Sequence, residues 1–226
     1  MTDQNKIVII GGHGKVALLA APKLKAAGYA VDSIIRNPGH GDAVRAAGAN
    51  PVVLDIESAD VDAMAEAFKG ALAIVFSAGA GGGNPQRTHA VDYEAATRAM
   101  QAAGQAGVER FVMVSYAGAD RDVRRLDPSD SFYPYAKAKH DADEKLRGSA
   151  LDYTILGPGL LTLEPASGKI QRTEAVGADF ADDKRITSRD NVAEVIAHVI
   201  QTGAANRQTV NFYDGQAPIA EVIAAK

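Results

Sequence analysis

Two tyrosine–lysine pairs with the same spacing lie within one short segment of the chain. Tyr133 and Lys137 are four residues apart, and so are Tyr135 and Lys139. On a helix this spacing places both side chains on one face, where the ammonium can lower the pKa of the phenol from about 10 and reach a cofactor ribose. Such a phenol can act as acid or base toward a carbonyl or an alcohol. Pro134 favours a helix start here, which places Tyr135 inside the helix and Tyr133 outside it. The same spacing is also typical of two side chains that simply cover a helix face.

A glycine-rich turn stands near the start of the chain. Gly11, Gly12 and Gly14 follow the apolar run 6–10, and a stretch of helical period comes after them. Glycines at a strand-to-helix turn let the backbone approach a pyrophosphate, whose charge is met by amide N–H groups at the helix N-terminus. Ala17 can replace a third glycine because a methyl group still allows close packing. The segment predicted to bind a dinucleotide comprises Gly11, Gly12, His13, Gly14, Lys15 and Val16.

The choice of cofactor depends on the residue that meets the adenosine ribose at the end of the second predicted strand. Asp32 and Arg36 both stand about 20 residues past the turn, which is the expected spacing. Ligands lie at the carboxyl ends of parallel strands, and Asp32 is roughly 13 Å further back than Arg36. A guanidinium suits a 2′-phosphate, so Arg36 favours NADP(H) over NAD(H). The alternative is a solvated arginine at a strand end.

Further cofactor contacts are expected where the third and fourth strands end. Asp55 and Ile56 follow the third strand, where Asp55 can meet the adenine or cap a helix that begins near Ser58. Ala78 and Gly79 follow the fourth strand. Small residues at that position let a dinucleotide lie close to the backbone.

The elements that must position these residues alternate along the chain. Short runs rich in Val and Ile alternate with Ala-rich stretches of helical period, which indicates βα units around a parallel sheet buried on both faces. The predicted strands are 6–10, 30–36, 51–54, 71–77, 110–115, 151–156 and 208–213. The predicted helices are 14–27, 39–47, 58–68, 91–106, 135–147 and 191–201. Five glycines are expected to end helices in the left-handed conformation, namely Gly28, Gly48, Gly70, Gly107 and Gly148.

This pattern predicts an α/β fold with a Rossmann-type, doubly wound parallel sheet. At ~150 residues per domain, one domain over residues 1–226 is the simplest organisation. The charged segment 116–132 is expected to be a long polar loop after the fifth strand. The segment 157–189, which is rich in Gly and Pro, is expected to be irregular. Together these two segments would supply the substrate pocket.

Composition excludes several classes of protein. The net charge is −4, with 24 basic residues spread along the chain, so the basic patch of a nucleic-acid-binding protein is missing. Without cysteine there can be no disulfide or thiolate metal site, and the five histidines show no ligand spacing. No apolar run approaches the length that spans a bilayer, and the polar start of the chain does not resemble a signal peptide. We therefore expect a cytoplasmic protein, monomeric or homodimeric, that takes a small-molecule substrate and binds no metal, membrane or nucleic acid.

Several segments occur in an order that resembles the atypical short-chain dehydrogenase/reductases, in particular their NAD(P)-binding, epimerase/dehydratase-like or NmrA-like subgroup. The segments are 11–17, 91–93, 110–115, 135–139, 143–147 and 151–159. The resemblance implies that Ser115 hydrogen-bonds the substrate oxygen and that Tyr135 is the acid or base. It also implies that Lys139 holds the cofactor ribose, with Ser115 and Tyr135 lining the cofactor site, and that Asp92 stands at the family's asparagine position.

The chain departs from this family's pattern at three positions. Asp92 cannot donate a hydrogen bond as the amide of an asparagine can. Gly157 stands where relatives carry an arginine, although the following Pro158 and Gly159 match and are expected at the cofactor. Asn191 replaces an aspartate that would cap the last long helix.

The leading functional hypothesis is an NADP(H)-dependent oxidoreductase that acts on a carbonyl or alcohol. Three alternatives stay open at this point. The first is a non-catalytic NADP(H) sensor of the NmrA-like kind. The others are a nucleotide-sugar epimerase or dehydratase and a flavin-reductase-like enzyme, which would not need the tyrosine and lysine.

Overall fold

The strands and helices follow the predicted alternation. The computed structural model describes residues 5–81, 83–173 and 185–224. The strands are β1 (Lys6–Ile10), β2 (Ala30–Ile35), β3 (Asn50–Val53), β4 (Ala71–Phe76), β5 (Arg110–Val114), β6 (Asp152–Pro158), β7 (Leu160–Thr162), β8 (Lys169–Arg172), β9 (Ile186–Ser188), β10 (Gln208–Asp214) and β11 (Ala217–Pro218). The α-helices are α1 (Lys15–Ala26), α2 (Gly41–Ala46), α3 (Val61–Phe68), α4 (Pro85–Thr88), α5 (Ala96–Gln105), α6 (Ala119–Arg125), α7 (Tyr133–Arg147), α8 (Arg189–Thr202) and α9 (Ile219–Val222). A 3₁₀ turn (Pro38–His40) precedes α2, and a π-helical turn (His89–Ala95) joins α4 to α5.

One large sheet organises the described part of the chain. Its nine strands lie in the order β11-β8-β10-β6-β5-β4-β1-β2-β3. The pairs from β10 across to β3 are parallel. The predicted Rossmann-type fold is confirmed, except that β8 and β11 add an antiparallel edge. The strand order reverses between β1 and β4, which is where a crevice for a ligand opens at the carboxyl ends of the strands.

The sheet is buried on both faces, and its central strands carry long apolar runs. Ile7 and Ile9 of β1 belong to the core that α1 and α8 cover, whereas Val8 and Ile10 belong to the core under α3, α5 and α7. All four side chains are fully buried. Alternating side chains on one strand therefore fill two separate cores. Among the described residues, no helix is long and apolar enough to cross a membrane.

The prediction of a polar loop over 116–132 is wrong in its central part, because residues 119–125 form α6. Two acidic residues, Asp120 and Asp122, occupy the first turn of this helix, and Arg124 and Arg125 occupy the last. Charges in that order are favourable for the helix dipole. The charges that suggested a solvated loop thus suit a short helix equally well.

The segment 157–189 is also more regular than predicted. Strand β6 continues to Pro158, since Gly157 and Pro158 pair with Asn211 and Phe212 of β10. Strands β7 and β9 then form a separate two-stranded parallel sheet. The remainder of this prediction, residues 174–184, lies outside the described residues.

Most helix boundaries differ from the predictions by a few residues, and three of the differences are informative. Helix α3 begins at Val61 rather than near Ser58, because the Asp60 carboxylate accepts the N–H of Ala63 at 2.8 Å and caps it. The fourth predicted helix begins earlier and contains the π-helical turn. Helix α7 begins at Tyr133, so this residue lies inside the helix.

Four of the five helix-ending glycines behave as predicted. Gly28, Gly48, Gly70 and Gly107 have positive φ angles. The prediction is wrong for Gly148, whose φ of −78° is right-handed and open to any residue.

Asn191 ties the last long helix to the far edge of the sheet. The capping residue of α8 is Ser188, whose hydroxyl accepts the N–H groups of Asp190 and Asn191. The fully buried Asn191 amide donates to the Asp214 carboxylate at 2.7 Å and accepts the N–H of Gly168 at 3.0 Å. Position 191 therefore serves as a junction and not as a helix cap.

Replacing Asn191 by alanine is expected to lower the free energy of unfolding by about 1–3 kcal/mol, because a half-buried carboxylate and a backbone N–H lose their partner. Urea unfolding followed by circular dichroism measures the change. Gln201→Ala, at an exposed position of the same helix, serves as the control and should stay within about 0.5 kcal/mol of wild type. Equal stability of the two variants would contradict the junction role.

Candidate active site

The glycines of the turn between β1 and α1 differ in why they are needed. Gly11 has a φ of +84°, and a Cβ there would lie 2.7 Å from the Cα of Ala78. A Cβ on Gly12 would lie 2.5 Å from the Cβ of Ser33. The fold itself therefore requires these two glycines. Gly14 differs, since its φ is −64° and the nearest atom to an added Cβ is the Gly11 carbonyl oxygen at 3.0 Å.

The N-terminus of α1 suits an anion. Gly14 is the N-cap residue and no side chain caps the helix, so its first amide N–H groups have no side-chain acceptor. Gly14, Lys15 and Val16 line a central cavity of about 780 Å³, and the first two are exposed. Amide donors, a lysine and the space beside an exposed glycine fit the pyrophosphate of a dinucleotide.

A second cavity of about 430 Å³, the β2–β3 cavity, adjoins the central cavity at the carboxyl ends of the strands. The predicted cofactor residues that line it include Gly11, Gly12, His13, Arg36, Asp55 and Ile56. The two cavities share Gly14, Ser77, Ala78 and Gly79. They form one elongated cleft, as a dinucleotide requires.

Charged groups gather at the outer end of the β2–β3 cavity. Arg36 donates to the Glu57 carboxylate at 2.6 Å, and Arg87 donates to the same oxygen at 3.0 Å. Asp55 accepts the N–H of Glu57 at 3.0 Å and does not cap α3. Glu57 and Arg87 could not be predicted from the sequence, because their contribution depends on which loops the fold brings together.

Two histidine rings stack at the same end of the cleft. The ring centroids of His13 and His40 are 3.7 Å apart, and the ring planes differ by 16°. Both residues line the β2–β3 cavity. His13 belongs to the glycine turn, and its stacking partner His40 comes from the 3₁₀ turn after β2.

The central cavity brings together the four residues implied by the resemblance, Asp92, Ser115, Tyr135 and Lys139. The Lys139 side chain is only 2% exposed. Its ammonium donates to the Val114 carbonyl at 2.8 Å and lies 3.9 Å from the Asp92 carboxylate. Asp92 in turn accepts the N–H of Ala80 at 3.1 Å. This carboxylate therefore holds the loop after β4 beside the lysine.

Tyr135 projects from the first turn of α7 among other aromatic rings. The centroids of Tyr116 and Phe132 lie 5.4 and 5.3 Å from that of Tyr135. Burial, followed by the negative charges of Asp92 and Asp143, raises the pKa of Tyr135 well above its usual value. The expectation of a lowered pKa is wrong here, because the phenol is buried near two carboxylates and the Lys139 ammonium is directed to a carbonyl. In this arrangement the phenol holds its proton.

Asp143, which is not among the predicted site residues, contacts Ser115 directly. Ser115 donates its hydroxyl hydrogen to the Asp143 carboxylate at 2.5 Å. Both residues are buried, at 5% and 1% exposure. Asp143 lies four residues after Lys139 and eight after Tyr135, on the same helix face. That spacing is a signal that could have identified it.

A third cavity of about 610 Å³, the side cavity, opens beside the central one. The two share Ser115, Phe132, Tyr135, Leu161 and Arg189. Pro158 and Gly159, which are expected at the cofactor, line the side cavity. An added Cβ at Gly157 would lie 2.1 Å from the Asn211 side-chain oxygen, so the arginine of relatives would require Asn211 to move.

One cluster away from the cleft has the composition of a metal site. The ligand atoms of Asp120, His140 and Glu144 lie within 4.8 Å of one another. The guanidinium of Arg147 donates to both Asp120 oxygens, at 3.1 and 2.9 Å, and to Glu144. One guanidinium already pairs with both carboxylates, as in an ion-pair network between α6 and α7.

Comparison with known proteins identifies the family. The family model described as NAD(P)H-binding matches residues 11–203, most of the chain. The chain belongs to this NAD(P)H-binding family. The matched range includes the glycine turn and the four residues around the central cavity.

Individual relatives agree with this assignment. The Bacillus subtilis protein named as the uncharacterized sugar epimerase YhfK is 34% identical over 221 residues, which cover 96% of this chain and 98% of the relative. A putative NAD-dependent epimerase/dehydratase from Bacillus halodurans is 31% identical, with a TM-score of 0.86 over 96% of this chain and 97% of the other. The resemblance to atypical short-chain dehydrogenase/reductases is thereby confirmed.

A more distant structure shares the fold alone. It is a short-chain dehydrogenase/reductase from Veillonella parvula, solved in complex with NADP. Its identity is 17% and its TM-score 0.71, over 94% of this chain and 96% of the other.

Gly14→Val is expected to abolish dinucleotide binding while the protein still folds, because the branched side chain would fill the space beside the α1 N-terminus. Isothermal titration with NADPH and NADH measures the binding, and thermal melting checks the fold. Gly104→Val is the matched control, since an added Cβ there meets nothing within 4 Å. Unchanged affinity in a folded Gly14→Val protein would show that the turn is only a connector.

Proposed function

We propose that the protein is an NADP(H)-dependent oxidoreductase that reduces a carbonyl group of a small molecule. The observation that carries this proposal is the position and proton state of Tyr135. Its phenol lies between the central and side cavities, and burial beside two carboxylates raises its pKa. A phenol that keeps its proton is a donor, which suits carbonyl reduction better than alcohol oxidation.

Residues of the cleft bind and orient the dinucleotide and the substrate. A reduced nicotinamide dinucleotide supplies a hydride when it is bound. The turn and the α1 N-terminus hold its pyrophosphate, and Lys139 lies within the central cavity where a ribose would be held. Tyr135 gives its proton to the alkoxide oxygen, which is a stronger base than a phenolate. Ser115 hydrogen-bonds the same oxygen.

The side cavity supports a substrate with a flat, apolar body. Four aromatic residues line it, namely Tyr116, Phe132, Tyr135 and Tyr213. Rings in contact prefer offset or edge-on arrangements, so such a wall accepts another planar group readily. 9,10-Phenanthrenequinone, a planar diketone, is a suitable probe for this cavity. We infer that the carbonyl reaches Ser115 and Tyr135 from this side.

Tyr135→Phe should leave NADPH affinity nearly unchanged but lower turnover by about 10²- to 10⁴-fold, the usual loss when a general acid is removed. NADPH oxidation is followed with 9,10-phenanthrenequinone, 4-nitrobenzaldehyde and a flavin. Tyr133→Phe, two residues earlier in the same helix, is the control and should keep its activity. Full activity in Tyr135→Phe would favour a flavin-reductase-like enzyme. NADPH binding without turnover of any probe would favour a sensor.

The preference for NADP(H) rests on charge at the outer end of the cleft. Arg36 and Arg87 share a single carboxylate, that of Glu57, which leaves one positive charge in excess among the three. A 2′-phosphate can take the place of Glu57 at the Arg36 guanidinium, which is 54% exposed. Charge-assisted hydrogen bonds to phosphate are about twice as strong as neutral ones. The uncharged 2′-hydroxyl of NAD(H) offers no such interaction.

Arg36→Ala is expected to weaken NADPH binding roughly 10- to 100-fold, which corresponds to about 1.5–3 kcal/mol for a hydrogen bond to a charged group. NADH affinity should change little. Glu57→Gln is the converse variant and should raise the preference for NADPH, because it releases Arg36 from its carboxylate. Titration calorimetry with both cofactors decides the matter, and equal affinities in the wild type would contradict the proposal.

A further inference from the structure

The hydrogen bond between Ser115 and Asp143 restricts what Ser115 can do. A serine hydroxyl carries one hydrogen and can donate only once. In the structure that hydrogen is directed to the Asp143 carboxylate, 2.5 Å away. Toward the cavities, Ser115 can then offer only the lone pairs of its oxygen. It accepts a hydrogen bond from an alcohol in this state but cannot donate one to a carbonyl.

The bond reverses if the Asp143 carboxyl takes up a proton. A neutral carboxyl has an O–H that donates to the Ser115 oxygen, which frees the serine hydrogen for a substrate carbonyl. We propose that Asp143 sets the direction of this hydrogen bond, so that Ser115 donates to a carbonyl substrate only when Asp143 is protonated. Asp143 is thus a positioning residue. This inference rests on the proposed function, since it concerns the same carbonyl reduction.

The surroundings of Asp143 favour such a proton. Its side chain is 1% exposed, and its second oxygen, Oδ1, is buried without a hydrogen-bond partner among the described residues. A buried carboxylate with an unpaired oxygen is costly, and a neutral carboxyl relieves much of that cost. The burial and the unpaired oxygen of Asp143 therefore both favour the protonated state.

Four neighbouring groups influence the charge of the Asp143 carboxyl. Lys139 and Arg147, both on α7, and the Ser115 hydroxyl after β5 favour the charged form, whereas the Asp120 carboxylate on α6 opposes it. Burial is the largest influence, and the pKa of Asp143 is raised to about 6. The proton can therefore be gained or lost close to neutral pH.

Protonation of Asp143 also changes Tyr135. The negative charge of Asp143 is one of the causes that raise the pKa of the Tyr135 phenol. When Asp143 is neutral, that contribution disappears and the phenol becomes a better proton donor. Protonation of Asp143 thus frees Ser115 to donate a hydrogen bond and makes Tyr135 a better proton donor. Carbonyl reduction needs both changes.

The test compares pH profiles of wild type and Asp143→Asn. The amide of asparagine has nearly the shape of the carboxyl, is neutral at every pH and can donate to Ser115. Reduction of 9,10-phenanthrenequinone by NADPH is measured between about pH 5 and pH 8. Wild-type kcat should fall as pH rises through about 6. Asp143→Asn should show no such fall and should exceed wild type at pH 8 by about tenfold or more, since one donor to the developing oxyanion is worth ~10²–10³ in kcat.

Two controls separate this effect from a general change of charge or packing. Asp141→Asn neutralises a carboxylate on the outer part of the same helix, where Asp141 pairs with Lys137, and should keep the wild-type profile. In a Ser115→Ala background the gain from Asp143→Asn at pH 8 should be largely lost. Identical profiles of wild type and Asp143→Asn would overturn the inference, and so would a gain that persists undiminished without Ser115.

A measurement that needs no turnover keeps the inference distinct from the proposed function. Infrared difference spectra between about pH 5 and pH 8 should show a buried carboxyl band that is present in the wild type and missing in Asp143→Asn. If this band titrates but no carbonyl probe is reduced by any variant, the proposed function fails while the proton on Asp143 stands. If the band does not titrate in this range, the inference fails even in an active enzyme.

Discussion

Lys139 is a buried cation on which the arrangement of the central cavity depends. Its ammonium donates to the carbonyl at the end of β5 and faces the carboxylates of Asp92 and Asp143. A buried charge needs partners of opposite sign, so the two acidic residues and the lysine stabilise one another. Two carboxylates around one ammonium leave the site slightly negative. Burial of the nearby Tyr135 phenol, together with that excess of negative charge, raises its pKa, so the phenol keeps its proton.

The sequence predicts the parts of this protein that depend on local pattern. The glycine turn, the seven predicted strands and the helix that carries Tyr135 and Lys139 all follow from apolar periodicity and from turn residues at fixed positions. Helix α6 could not be predicted in the same way, because charged residues suit a short helix and a loop equally well. The edge strands β8 and β11 exist through pairing with β10 and with each other, which no local pattern encodes.

In the candidate site, too, some features follow from local residue spacing and others from contacts between distant segments. The shared helix face of Tyr135 and Lys139 is a matter of spacing, and the sequence reveals it. The direction in which the Tyr135 pKa shifts depends on the depth of burial and on carboxylates from two different helical segments, 89–95 and 133–147. Glu57 likewise meets Arg36 only because the loops after β2 and β3 lie side by side. Contacts between distant segments therefore set the electrostatics, while local pattern sets the framework.

The π-helical turn at 89–95 has a consequence for how this chain tolerates length changes. An α-helix has 3.6 residues per turn, so each residue advances the direction of a side chain by about 100°. A π-helical turn accommodates an extra residue within a continuous helix. Deletion of a single residue here would let the helix run straight and turn Asp92 away from Lys139 by about a quarter of a circle. The π-helical turn therefore sets the rotation of Asp92 relative to α5. In a chain shortened by one residue, either α5 keeps its buried face or Asp92 keeps its position beside Lys139, but not both.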